Sequence, residues 1–249
     1  MPKNFFLINK KEGETPLEAL EVFRNKNKIS KNIPMTYAGR LDPMASGVLI
    51  LLVGEECKNK DKYLNLDKEY EFQVLFGFAT DTYDILGKVI STKGNPSEIN
   101  DLDKLIKKNI KNFKGKRIQK YPIYSSKTVE GKPLFSYARE GKEIEIPERE
   151  VYIKSLNYLG LKKISAKSLL NKINTRVGKV KGDFRQKEIL KLWDKNLNLN
   201  NSFYIADFKV KCTSGTYVRT IANDLGENIG IPALAYSINR IKVGRYAKI

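Results

Sequence analysis

An α+β fold is the class that the sequence predicts, on three observations. Apolar runs of strand length and amphipathic runs of helical spacing are interleaved, but without the regular strand–helix–strand alternation of a doubly wound sheet. No internal repeat is visible. No Gly-, Ser- or Pro-rich stretch divides the 249 residues, a length compatible with one large domain and a sizeable core.

The elements follow in order. Phe5 to Ile8 reads as a short buried strand. Thr15-Pro16-Leu17-Glu18 has the form of a capping box with proline at the first helical position, and Leu17, Leu20 and Phe23 give the helix one apolar face. Tyr37 to Gly47 reads as a loop punctuated by Gly39, Pro43 and Gly47. The unbroken apolar run Val48 to Val53 is too short for a typical helix and predicts a buried strand, and Tyr70 to Phe76 predicts a second. Leu102, Leu105, Ile106, Ile110 and Phe113 fall at helical spacing on a lysine-laced helix. Leu134 to Arg139 predicts another, stopped by Gly141. Val151, Ile153 and Ser155 begin a strand that ends near Leu159. Ile205, Asp207, Lys209 and Lys211 alternate with Ala206, Phe208, Val210 and Cys212, a strand with one wet face. Thr216 to Leu225 is helical.

Segment 162–195 stands apart. It holds eleven Lys and Arg against three Asp and Glu, a net of +8 within a chain whose formal charge is +18. Ile164, Leu169, Leu170 and Ile173 form one helical face, and Ile189, Leu190, Leu192 and Trp193 another, so the segment reads as a basic helical hairpin turning near Gly178 to Gly182. It either shields the sheet as a solvated helical pair or serves as an arm that grips phosphates.

Composition excludes much chemistry. The chain has no histidine and two cysteines, Cys57 and Cys212. Histidine bases, Ser-His-Asp triads and two-His zinc sites are therefore impossible, and no metal site or disulfide framework is expected. Proton transfer falls to Asp, Glu, Tyr, Lys or water. The +18 charge attracts a polyanion, most often nucleic acid. No signal peptide or membrane span is visible, so a soluble cytoplasmic protein with no membrane partner is expected.

The most informative stretch is Tyr37 to Leu49, Y-A-G-R-L-D-P-M-A-S-G-V-L. Pro43 biases Asp42 toward an extended backbone, and Gly39 and Gly47 permit close approach of a ligand. A carboxylate on a rigid loop at a sheet edge could act as nucleophile or base. On its own, though, Asp42-Pro43 reads more simply as a turn with a structural hydrogen bond.

This stretch resembles the G-x-L-D-P-x-A-T-G-x-L signature of TruB-type tRNA pseudouridine synthases. Four further blocks resemble the family in the same order: Lys68 to Tyr70 with Phe76 to Gly87; Gln119 to Gly141; Glu145 to Val151; and Cys212 to Gly226. Together they cover most of residues 1–160 and 203–246. The resemblance implies a pseudouridine synthase fold, with a mixed, largely antiparallel central sheet flanked by helices. It also implies a reaction in which uridine in RNA becomes pseudouridine with no cofactor. Asp42 matches the catalytic aspartate, Tyr70 the active-site tyrosine and Arg219 the arginine paired with the aspartate. Ile238 matches an apolar residue lining the uracil pocket, and Asp84 an aspartate expected to hold Arg219. Lys10 matches a lysine of an N-terminal block. Gly39, Arg40, Tyr124 and Lys127 join these as expected RNA contacts. Asp42 must be ionised to attack C1′ or to remove a sugar proton, and Arg219 supplies its counter-charge and orients it. Tyr70 can stack on the base and is a candidate to take the proton from C5. The base must be flipped out of its loop.

Three departures accompany the match. The family has a histidine where this chain has Tyr37, whose ring could still act as a wedge. The chain stops at Ile249, so the small C-terminal RNA-binding domain of the family is expected to be missing. Segment 162–195 reads as an insertion, whose deletion should weaken tRNA binding and flatten its salt dependence. Segment 119–142 resembles the family's thumb, expected to order over RNA. The expected function is a stand-alone tRNA pseudouridine synthase acting on uridine 55 of the T stem-loop, with nothing demanding more than a monomer. The alternatives are a guide-RNA-dependent ribosomal RNA relative and a non-catalytic RNA-binding or tRNA-folding protein.

Overall fold

The first apolar run of the chain folds back against the second. In the computed structural model, which describes residues 4–93 and 101–247, β1 (Phe5–Lys10) pairs antiparallel with β3 (Ala45–Val53) along its whole length. Between them lie α1 (Pro16–Lys26) and β2 (Met35–Ala38), the latter also paired to β3. The capping box forms as expected: Thr15 Oγ1 accepts from the Glu18 amide and Glu18 Oε2 accepts from the Thr15 amide. After a 3₁₀ turn come α2 (Lys60–Leu64), β4 (Lys68–Phe76), and the small pair β5 (Phe78–Thr80) and β6 (Val89–Thr92).

Next are α3 (Leu102–Asn109), β7 (Gly115–Lys120), the two-residue strands β8 (Thr128–Val129) and β9 (Lys132–Pro133), and α4 (Leu134–Glu140). The second half holds β10 (Glu148–Ser165), α5 (Ala166–Val177), α6 (Gln186–Asn196), β11 (Ser202–Cys212), α7 (Val218–Ile229), β12 (Ala233–Val243) and β13 (Tyr246–Ala247).

The central sheet has nine strands among the described residues. Its main path runs β1, β3, β12, β4, β11, β10, β7, with β2 beside β3 and β13 beside β12. All pairings in it are antiparallel except β3 with β12, the mixed, largely antiparallel sheet that was expected. Gly47 makes the parallel contact possible. Its φ is +111°, and a Cβ there would lie 2.2 Å from the Arg240 carbonyl oxygen, so only glycine fits.

Helices flank both faces. On one, Tyr70, Phe72, Val74 and Phe76 of β4 join Phe208 and Val210 of β11 under Leu102 and Ile106 of α3 and Ile221 and Leu225 of α7. On the other, Leu75, Phe203, Ile205 and Leu234 lie under Leu169 and Ile173 of α5 and Ile189 and Trp193 of α6. No helix among the described residues is long and apolar enough to cross a membrane.

Four expectations change. The Tyr37–Gly47 loop is shorter, because Tyr37 and Ala38 end β2 and Ala45 begins β3. The strand expected to end near Leu159 continues to Ser165, through a register shift between Tyr158 and Gly160. Segment 162–195 therefore begins as sheet, and its two helices are a structural layer: Trp193, Leu169 and Ile173 have no exposed surface. Of the face expected to be wet on β11, Ile205 is buried under this layer, while Asp207, Lys209 and Lys211 are not buried.

Candidate active site

Residues 39–44 connect β2 to β3 and carry Asp42. Leu41 and Met44 on either side are buried anchors. The loop's carbonyls are captured by two buried cations. Arg240 of β12 donates to Gly39 O at 2.9 Å, Arg40 O at 3.3 Å and Val48 O at 2.8 Å. The Lys10 ammonium donates to the carbonyls of Lys11 (2.9 Å), Glu14 and Pro43 (3.4 Å). The Gly13 amide donates to Pro43 O at 2.9 Å. A backbone fixed at so many points holds Asp42 in place at the sheet edge.

It faces Arg219, in the first turn of α7. Arg219 Nε donates to Asp42 Oδ2 at 2.8 Å, while its other nitrogens donate to Thr82 O at 2.6 Å and Tyr124 O at 3.3 Å. The Arg219 side chain is 3 % exposed and that of Asp42 33 %, so the pair runs from the core to a cavity wall. Asp84 Oδ2 lies 3.8 Å from Arg219 Nε. Its other oxygen accepts from Thr82 Oγ1 (2.8 Å) and the Leu86 amide (2.9 Å). Burial pushes the Asp84 carboxyl above the usual carboxylate range, against the opposing pull of Arg219.

Asp42 opens on a cavity of about 250 Å³ lined also by Gly39, Arg40, Lys68, Tyr70, Tyr121, Ser125, Tyr217, Ile238 and Arg240. Sheet register assembles its floor. Tyr70 of β4 lies opposite Arg240 of β12, and Ile238 lies beside Ala45 of β3. Burial raises the Tyr70 hydroxyl above the ordinary tyrosine range. Burial, with Arg240 nearby, lowers the Lys68 ammonium to about 8. Tyr121 and Tyr217 meet edge-on with centroids 5.6 Å apart. A second cavity, of about 510 Å³, adjoins the first at Arg40, Asp42 and Ser125. It is lined by Tyr37, Thr82, Asp84, Tyr124, Phe135, Arg139, Phe184, Arg185 and Arg219.

Thus Asp42, Tyr70, Gly39, Arg40 and Ile238 share one cavity, while Tyr37, Asp84, Tyr124 and Arg219 border its neighbour. Two expected RNA contacts lie elsewhere. Lys10 has no exposed surface; it holds the Asp42 loop and cannot touch RNA from there. Lys127 is exposed, its ammonium 5.5 Å from the Tyr121 ring centroid, and lines neither cavity. Sequence reasoning missed Arg240, Lys68, Ser125 and Tyr217. A signal existed for Arg240, since it shares a strand face with Ile238 two residues before it. Ser125 Oγ is buried with no protein partner among the described residues.

The sequence profile of the TruB family pseudouridylate synthase (N terminal domain) matches residues 26–184. The chain belongs to the TruB family. This TruB protein is 34 % identical over 243 residues to the tRNA pseudouridine synthase B of Lactobacillus acidophilus, covering 97 % of this chain and 68 % of that one. It is 30 % identical over 237 residues to that of Aquifex aeolicus, with 95 % and 67 % covered. Among solved structures, the Cbf5-Nop10-Gar1 complex shares the fold at a TM-score of 0.59 and 17 % identity, over 99 % of this chain and 50 % of that one. The TruB chain therefore spans about two thirds of the curated relatives it matches, and half of the solved one. The family match runs into the basic hairpin, through the whole of α5.

Proposed function

We propose that this TruB protein isomerises uridine 55 in the T stem-loop of tRNA to pseudouridine, as a cytoplasmic monomer. The observation that carries the proposal is Asp42 on the wall of a tyrosine- and isoleucine-lined cavity, paired with the buried Arg219. In this reading the uridine leaves its stack and enters the cavity, with Tyr70 against the base and Ile238 beneath it. Asp42, aimed by Arg219, faces the ribose and either attacks C1′ or removes a sugar proton, which frees the base to turn and rejoin through C5. Tyr70 is the candidate to take the C5 proton. Unpartnered Ser125 Oγ offers a hydrogen bond to the bound nucleoside. The names of the curated relatives support tRNA as substrate.

The test is incubation with unmodified tRNA and a carbodiimide readout of pseudouridine. Wild type should modify the T loop without any guide RNA, and Asp42→Asn should form none while still binding. Modification only with an added guide, or binding without modification by wild type, would select one of the two alternative functions instead.

A further inference from the structure

We propose that Arg185, supplied by the turn of the basic hairpin, is a positioning residue for the catalytic arginine. The inference rests on the proposed roles of Asp42 and Arg219 and adds a residue that they do not include. The starting point is how Arg219 is held. Two of its nitrogens donate to Thr82 O and Tyr124 O. Thr82 belongs to the turn between β5 and β6, and Tyr124 to the loop between β7 and β8; among the described residues no strand pairing joins those two segments. If they drifted apart, Arg219 would lose the two anchors that aim its Nε at Asp42.

Arg185 spans this gap. One of its nitrogens lies 2.7 Å from Asp81 Oδ2, next to Thr82, and 2.6 Å from the Tyr124 hydroxyl. Its guanidinium lies 4.1 Å from the centroid of the Tyr124 ring, a cation–π contact. A second nitrogen reaches Asp81 Oδ1 at 3.4 Å, and that oxygen also accepts from the Lys88 amide at 2.8 Å. So the same two segments whose carbonyls hold Arg219 are fastened to each other by one planar group with fixed geometry.

Arg185 is itself held rigid. It sits in the left-handed region at φ +64° before α6, with its amide donating to Asp183 Oδ1 at 3.1 Å. The Gln186 amide group donates across the turn to Val180 O and Gly182 O. α6 grips the 80–88 turn twice more, through Glu188 to Lys88 at 2.6 Å and through the Trp193 indole to Ile85 O at 3.3 Å. Arg185, Glu188 and Trp193 thus each reach the 81–88 turn, and the hairpin holds the Asp84 turn at three points.

The test is single-turnover pseudouridine formation on T-loop RNA, with RNA binding and thermal melting measured in parallel. Arg185→Gln should lower the rate of the chemical step by about 10- to 100-fold, as misplaced catalytic groups do, with the melting curve retained and RNA dissociation changed less than about threefold. Arg185→Lys, which keeps the charge but not the fork, should recover only part of the rate. Asp81→Asn should cost little more in the Arg185→Gln background than Arg185→Gln does alone. An unchanged chemical rate in folded Arg185→Gln overturns the proposal. So does a loss confined to RNA affinity and restored by lysine, which would make Arg185 a phosphate contact. If wild type forms no pseudouridine at all, it is the proposed function that fails.

Discussion

Arg240 has no carboxylate partner among the described residues, yet it is 1 % exposed. Its guanidinium donates to three carbonyls, two of them from the loop that presents Asp42. Hydrogen bonds to a charged group contribute about 1.5–3 kcal/mol each, and orphaned carbonyls cost more than the bond is worth. Arg240→Met should therefore lower stability by about 3 kcal/mol in urea melts. It should also slow turnover at least about tenfold, because the loop that presents Asp42 loses two of its anchors. At this scale the sequence was legible where a motif named the residue, as for Asp42, Tyr70, Ile238 and Arg219. It was illegible where only burial decides. Nothing in N-K-K-E-G tells whether Lys10 faces solvent or three carbonyls, and Arg240 looks in sequence like one more residue of a basic chain.

Helix α7 carries an internal opposition. It presents Arg219 at one end and, further along, Asp224, whose carboxyl burial raises to about 6 against the pull of Arg117, 3.9 Å away. Asp224 thus holds a proton more tightly in the fold than in the unfolded chain, where its value is about 3.8. Folding takes up that proton between pH 4 and 6, and its contribution to stability falls as pH rises through this window. Asp224→Asn removes the effect. The variant should be nearly as stable as wild type at pH 4 and gain on the order of 2 kcal/mol relative to it by pH 7, read from thermal melts across the range. Elements with strong local signals were legible, α1 from its capping box and α7 from its spacing. The end of β10 was not, because Lys162 and Lys163 resemble a charged linker while their backbones pair with Ile205 and Tyr204. Only the partner strand reveals that.

The molecule's +18 charge resolves into buried and exposed parts with different work. Lys10, Lys68, Arg219 and Arg240 lie inside and shape the site. Lys167, Lys172, Lys181 and Lys187 stand exposed on the hairpin, without a carboxylate partner among the described residues. Deleting 162–195 would bare Leu75, Phe78 and Phe203 along with Trp193's neighbours, so it would test folding and not affinity. Replacing those four lysines with glutamine keeps the apolar face. If they meet phosphate, the slope of log affinity for tRNA against log salt should fall by up to about 0.7–0.9 for each phosphate no longer neutralised; an unchanged slope would show that the hairpin's charge stays in solvent. The sheet order holds one more consequence. β3 and β4 are near neighbours in sequence, yet β12 lies between them. During synthesis the 45–47 end of β3 and one edge of β4 must wait unpaired for a segment made more than 150 residues later. The nascent chain is therefore most exposed to misassembly just before β12 emerges. Because Ile238 and Arg240 arrive on that strand, the protein closes its sheet and completes the cavity beside Asp42 in a single step.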